Sequence, residues 1–151
     1  FVSDMGYEVI ADIDPTTLII DPTVSKESYV PAGPLVYDKN GIKIWAEMAA
    51  RIDENSIDVV FYIKNLTSKC IVCTDNFEND ILLDGTPATA LFVADMLPYT
   101  EIFSSMSFFT LQDDGITETP STLAFTLEIY DSRTYEDIDI VPIEFTLQFF
   151  D

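Results

Sequence analysis

Alternation of apolar and polar residues with a period of two constrains this chain most, because only a strand sends successive side chains to opposite faces. The clearest runs come late. Leu123, Phe125, Leu127 and Ile129 alternate with Ala124, Thr126, Glu128 and Tyr130, and Ile143, Phe145, Leu147 and Phe149 alternate with Glu144, Thr146 and Gln148. Earlier, the run Gly41–Met48 sets Ile42, Ile44, Ala46 and Met48 on one face and Lys43, Trp45 and Glu47 on the other. The run Ile57–Lys64 sets Ile57, Val59, Phe61 and Ile63 inward, with Tyr62 and Lys64 outward. Shorter strands are expected near Cys70–Cys73, Ile81–Leu83, Thr89–Ala94 and Glu101–Phe109, with one helical turn at Leu111–Gly115 capped by Gly115. Seven or eight short strands separated by turns predict an all-β, two-sheet antiparallel sandwich. Its core is expected to hold Ile44, Val59, Phe61, Ile63, Phe125, Leu127, Ile129, Phe145 and Leu147. Lys43, Tyr62, Lys64, Thr126, Glu128 and Thr146 are expected to be more exposed.

The first 34 residues read differently. Val9, Ile10 and Ile13, then Leu18, Ile19 and Ile20, are strand material, whereas Pro22–Pro34 carries three prolines and reads as a connector. The expected organisation is therefore an N-terminal strand and proline-containing connector over 1–34 and a sandwich over 35–151. Tyr7-Glu8-Val9-Ile10 echoes Tyr135-Glu136-Asp137-Ile138. The echo fits the tail of a preceding repeat in a tandem array, and it equally fits chance similarity between two β-rich segments.

Charge excludes two classes of partner. The chain has 27 acidic residues against 7 basic ones and a formal net charge of −20. Nucleic-acid affinity comes mainly from Lys and Arg displacing counterions, and anionic headgroups attract the same residues, so nucleic acid and membrane surfaces are poor partners. No apolar stretch approaches the roughly 18 residues of a membrane span, so no direct membrane insertion is expected. The opening at Phe1 is read as that of a mature or excised fragment.

Histidine is absent, which removes Ser-His-Asp and Cys-His catalysis, His-ligated zinc and the usual general base near neutral pH. Two cysteines cannot build a four-thiolate metal site, and no glycine-rich phosphate loop is present. No cofactor is expected. Cys70 and Cys73 form a CxxC inside a β-branched run, where residues three apart face opposite ways with Cα atoms about 10 Å apart. They read as two structural thiols, unbonded to each other; a disulfide across a bulge and redox work are the alternatives. Carboxylates are plentiful, but nothing singles out an acid/base pair. Oxygen-rich clusters at Asp75–Asp80, Asp113–Asp114 and Asp137 with Asp139 fit either calcium or turns that bond their own backbone. No metal ligand is assigned. Trp45 and Tyr62 fall on the outward phase of neighbouring strands, and they are the candidate ligand-binding residues. Paired, the two rings would stack a sugar or peptide; the bland alternative is packing under a second layer or loop. Asn65-Leu66-Thr67 is a formal glycosylation sequon at a turn.

Three stretches carry a family resemblance: Val36-Tyr37-Asp38-Lys39-Asn40-Gly41-Ile42-Lys43-Ile44, Val59-Val60-Phe61-Tyr62-Ile63-Lys64-Asn65-Leu66-Thr67, and Phe125-Thr126-Leu127-Glu128-Ile129-Tyr130-Asp131. Over residues 35–151 the chain resembles the uncharacterised immunoglobulin-like β-sandwich domains of exported lipoproteins and surface proteins from Gram-positive gut bacteria. The resemblance implies an immunoglobulin-like fold, sometimes in tandem, at an extracellular or cell-surface location, lipid-anchored or secreted. It brings no catalytic residues. The expectation is a non-enzymatic spacer, adhesin or binding module for a protein or glycan partner, with a carbohydrate-binding module using Trp45 and Tyr62 as the alternative.

Overall fold

The computed structural model describes residues 29–150, so the strand and connector readings over 1–28 lie outside the described residues. Two units divide the chain, Phe1–Val30 and Pro31–Asp151. The second holds eleven strands: β1 (Leu35–Lys39), β2 (Ile42–Asp53), β3 (Ser56–Asn65), β4 (Ile71–Asp75), β5 (Ile81–Leu83), β6 (Thr86–Ala88), β7 (Ala90–Leu91), β8 (Val93–Met96), β9 (Glu101–Phe108), β10 (Thr122–Asp131) and β11 (Asp137–Thr146). Every ladder between them is antiparallel.

One sheet runs β1-β2-β3-β9-β7. In the other, β10 is central. It pairs with β11 along one edge and with β4 and β5, end to end, along the other; β8 lies outside β4 and β6 outside β5. Thus β2, β3, β9 and β7 take the A-B-E-D order of an immunoglobulin sandwich, β4, β10 and β11 take C-F-G, and β1 is an added edge. Two tight hairpins need left-handed backbone at both central residues. Asn40-Gly41 supplies it with φ of 55° and 76°, and Asp84-Gly85 with 50° and 82°.

Period two decides the core. Ile44, Val59, Phe61, Ile63, Phe125, Leu127, Ile129 and Leu147 are buried as the alternation requires, and Phe145 packs half-buried against them. Phe61 is the ring through which the sheets meet: its centroid lies 5.2 Å from Phe92, 5.8 Å from Phe145 and 6.1 Å from Phe125. It stands on the B strand and Phe125 on the F strand, the strands that an inter-sheet disulfide joins in antibody domains. Aromatic packing therefore bridges the sheets here. The expected turn at Leu111–Gly115 is present: Ile116 N–H donates to the Leu111 carbonyl at 2.8 Å, and Gly115 sits at φ 83°.

Three expectations need correction. Met48, placed inward by strict alternation, is exposed, and Glu47, placed outward, is buried. A β-bulge shifts the β2–β3 register between Ala46 and Met48, so the phase reverses after Glu47. The Glu47 carboxylate accepts the backbone N–H groups of Ala32 and Gly33 at 3.2 Å. Gly33 passes so close that a Cβ there would meet the Ala46 carbonyl oxygen at 1.7 Å. Tyr62, expected exposed, is 1% exposed; neighbouring rings cover it, as described below. The strand expected over Thr89–Ala94 is two strands, because the chain crosses between the sheets there: β7 pairs with β9 and β8 with β4.

Removing the bridging ring leaves a cavity between sheets that no cross-link holds. Phe61→Ala is expected to cost about 3–5 kcal/mol in a urea titration. A loss under about 1 kcal/mol would contradict the role given to this ring.

Candidate binding surfaces

On the solvent face of the first sheet, register places four apolar side chains in one row across four strands: Leu35 opposite Trp45, Trp45 opposite Tyr62, and Tyr62 opposite Phe103. The Trp45 and Tyr62 centroids are 5.4 Å apart and tilted by 37°, and those of Tyr62 and Phe103 are 5.1 Å apart and tilted by 39°. The structure thus brings the two expected ring residues together, but not as a flat platform. Tyr62 is enclosed between its neighbours, and its hydroxyl donates to the Glu101 carboxylate. Trp45 is half-buried, and Phe103 presents the open ring. Phe103 lay inside an expected strand, but its pairing with Tyr62 depends on register across β3 and β9, which local alternation does not encode. Beside the row, Lys43 and Lys64 stand directly opposite each other, with Glu101 opposite Lys64 on the far side.

The remaining sequence candidates resolve mostly into structural roles. Cys70 and Cys73 are free thiols; Cys73 is fully buried, and burial pushes its thiol up to about 12. A thiol held neutral in the core is a poor nucleophile. Asn65 of the sequon is fully buried. Its amide donates to the carbonyls of Lys69 at 2.8 Å and Leu97 at 3.0 Å, and its Oδ1 accepts the Thr67 N–H and hydroxyl at 3.0 and 2.6 Å. No hydrogen-bonding capacity is left over, so Asn65 ties two loops together and does not present a glycan site. Among the described residues no group of three or more Cys, Asp or Glu side chains could hold a metal ion. Asn76 bonds its own turn, accepting the Glu78 N–H at 2.9 Å, and Asp114 accepts from Thr89 N–H and the Thr110 hydroxyl.

Two features of the second sheet involve carboxyl groups. Glu128 on β10 is held above the usual carboxylate range, first by desolvation and then by a hydrogen bond to Asp137 and that residue's charge, with the Asn76 amide opposing. The interruption between β4 and β5 also leaves a shallow, open groove of about 540 Å³ over the small side chain of Ala124, flanked by Asp80 and Glu144. Its lining includes no buried catalytic-type group.

The surface that sequence reasoning missed is one end of the sandwich. The connections β1–β2, β3–β4, β8–β9 and β10–β11 all lie there, the same end as the B–C and F–G loops of antibody variable domains. Backbone bonds lace them together: Leu66 N–H to Gly41 O at 2.8 Å, Tyr99 N–H to Thr67 O at 3.2 Å, and Ser132 N–H to Cys70 O at 2.9 Å. On this tied base Leu66 is 53% exposed, Leu97 66%, Tyr99 70% and Tyr135 77%. Tyr99 and Tyr135 have φ of 56° and 63°, a conformation in which a bulky side chain is a genuine outlier. Tyr135 stacks on Tyr130 at a centroid distance of 6.3 Å. The sequence signal for it is position alone: Tyr99 closes Asp95–Tyr99, a stretch that reads as a loop, and Tyr135 lies in the polar connection Asp131–Asp137.

No family model matches the chain, and no curated protein matches it. Among solved structures it is similar to a domain of the outer membrane lipoprotein Omp28 from Porphyromonas gingivalis, with 18% identity over 72% of this chain and 98% of that one and a TM-score of 0.43. It is also similar to the GAE domain of GGA2p from Saccharomyces cerevisiae, with 17% identity over 76% and 96% of the two chains and a TM-score of 0.40. A FixG-related protein from Vibrio parahaemolyticus gives 9% identity over 72% and 94% and a TM-score of 0.39. Among the described residues, no helix is long and apolar enough to cross a membrane.

The Glu128–Asp137 contact has a testable sign. A carboxyl whose folded pKa is raised, here by desolvation and then by Asp137, costs the fold nothing below its ordinary pKa; the cost grows as pH rises through that value and is complete above the raised one. Asp137→Asn is expected to raise thermal stability at neutral pH, with the gain disappearing as pH falls through the carboxylate range. A gain independent of pH, or none at neutral pH, would show that the pair is not coupled.

Proposed function

We propose that this chain is a non-enzymatic β-sandwich module of an exported or surface protein, and that it binds a partner through the loop end. The observation that carries the reading is the pair of exposed tyrosines, Tyr99 and Tyr135, both held at positive φ. Backbone outliers cost about 1–3 kcal/mol each and persist where the surroundings over-determine them, typically at ligand contacts. Exposed tyrosines supply large, stiff contact area at small entropic cost. The lack of histidine and the absence of a buried carboxylate pair lining the groove favour binding over catalysis. The extracellular or cell-surface placement rests on the family resemblance of residues 35–151.

A second reading is a carbohydrate-binding module on the sheet face. The exposure of Phe103 beside Trp45 favours it, and the burial of Tyr62 weighs against it.

The test is a glycan and protein binding panel run on the full chain and on Tyr99→Asn, Tyr135→Asn and Phe103→Ser. Asparagine accepts left-handed backbone, so both Asn variants are expected to unfold no earlier than the parent while losing about tenfold or more in affinity. Unchanged affinity in both would overturn the loop-end reading. Loss of glycan binding in Phe103→Ser alone would select the second.

A further inference from the structure

The groove over Ala124 lies on the solvent face of the second sheet, and its floor follows from register. Leu82 stands opposite Ala124 and Ala124 opposite Glu144, with Thr126 opposite Pro142 in the next pair on that face. Leu82, Ala124 and Pro142 make the floor apolar, and the single methyl of Ala124 keeps it low between longer neighbours. The flanks are acidic. Asp80, immediately before β5, and Glu144, on β11, rise on either side of β10, from strands two spacings or roughly 10 Å apart. They are the two charged residues in the lining of this volume of about 540 Å³, and both are exposed.

A chain this acidic spreads carboxylates over most of its surface for solubility alone, so what matters is how these two are placed. Elsewhere the chain's own donors take up exposed carboxylates: Asp84 accepts the Ser121 and Thr122 N–H groups, Asp114 that of Thr89, and Asp131 those of Arg133 and Thr134. Asp80 and Glu144 accept no hydrogen bond from any described residue. The described cations lie away from them. Lys39, Lys43, Arg51 and Lys64 stand on strands of the first sheet, and Lys69 and Arg133 act on Asp131. Asp131 is seven residues along β10 from Ala124, or roughly 23 Å, well beyond the screening length of about 8 Å at physiological salt. The nearer charges on this face are also acidic, since Asp137 and Glu78 both act on Glu128.

We propose that this groove binds an arginine-bearing segment of a partner protein, with the guanidinium between Asp80 and Glu144 and its aliphatic stem on Leu82, Ala124 and Pro142. It is a second surface, independent of the loop end. A guanidinium is planar, weakly hydrated for a cation and forks onto carboxylates, and its stem buries along apolar surface, so it suits an apolar floor between two acids. A bare metal ion does not suit it: among the described residues no three acidic side chains converge, and calcium takes six to eight oxygens. A sugar ring finds no exposed aromatic face here, because Phe125 turns its ring into the core. Phe77, 93% exposed in the connection that carries Asp80, favours a segment with apolar side chains over a free amine.

The experiment measures fluorescence anisotropy of short labelled peptides combining Arg with Leu, titrated with the full chain. A matched set carries Gln in place of Arg, and spermine serves as the free-cation arm. The Arg peptides are expected to bind about fivefold or more tightly than the Gln set, as two exposed ion pairs allow. That preference is expected to vanish in an Asp80→Asn, Glu144→Gln double variant and in Ala124→Leu, which fills the groove. It is expected to survive in Tyr99→Asn and in an Asp38→Asn, Asp58→Asn double variant, which removes the same charge from the first sheet. Equal binding of Arg and Gln peptides, or no binding of either, would overturn the inference. Equal losses in the two double variants would also overturn it, by showing attraction to the overall negative field. Binding of spermine without the peptides would replace the protein segment with a free cation, and loss confined to Tyr99→Asn would move the site to the loop end; either result contradicts the proposal.

Discussion

Everything in this sandwich is referred to β3, which does three separate jobs along ten residues. Inward, Phe61 meets Phe92, Phe125 and Phe145 and so fixes the spacing of the sheets. Outward, Tyr62 fills the middle of the aromatic row between Trp45 and Phe103. At the end of the strand, Asn65 is buried with every hydrogen-bonding position used, and it ties the β3–β4 turn to the β8–β9 loop. A buried carboxamide would be costly if any of those bonds were missing, so the loops can only close in the arrangement that satisfies it. The same strand that builds the core therefore decides where the exposed side chains at the loop end stand.

Much of the fold was legible because period two is a strong signal when one face of each strand is buried. Phe125, Leu127 and Ile129 in β10, and Val59, Phe61 and Ile63 in β3, follow it without exception. It failed at Glu47, where a bulge adds one residue and reverses the phase, and no local pattern announces a bulge. It failed at Tyr62 for another reason. The alternation gave the correct face, but Trp45 and Phe103 roof that face over, and this depends on register with two other strands. The run expected over Thr89–Ala94 is apolar from Ala90 onward, without alternation, so it could not reveal that the chain changes sheets inside it.

The loop end was less legible still. Its four connections come from distant parts of the chain, and their convergence follows from the strand order and not from any one turn. Positive φ at a tyrosine is also invisible in sequence, because propensity assigns left-handed backbone to Gly and Asn.

Preorganisation is the core of this account: the loops are held by tertiary hydrogen bonds, so the strained tyrosines are presented in one arrangement before any partner arrives. Native-state hydrogen exchange at single-residue resolution tests it most directly. The amides of Leu66, Tyr99, Ser132 and Tyr135 each donate to a backbone carbonyl, the last to Asp131 at 2.8 Å. They are expected to exchange at least about 100-fold more slowly than an unstructured chain. Exchange at unstructured rates at these four amides, alongside protected amides in β3 and β10, would show loops that move freely on a rigid sandwich and would contradict the account.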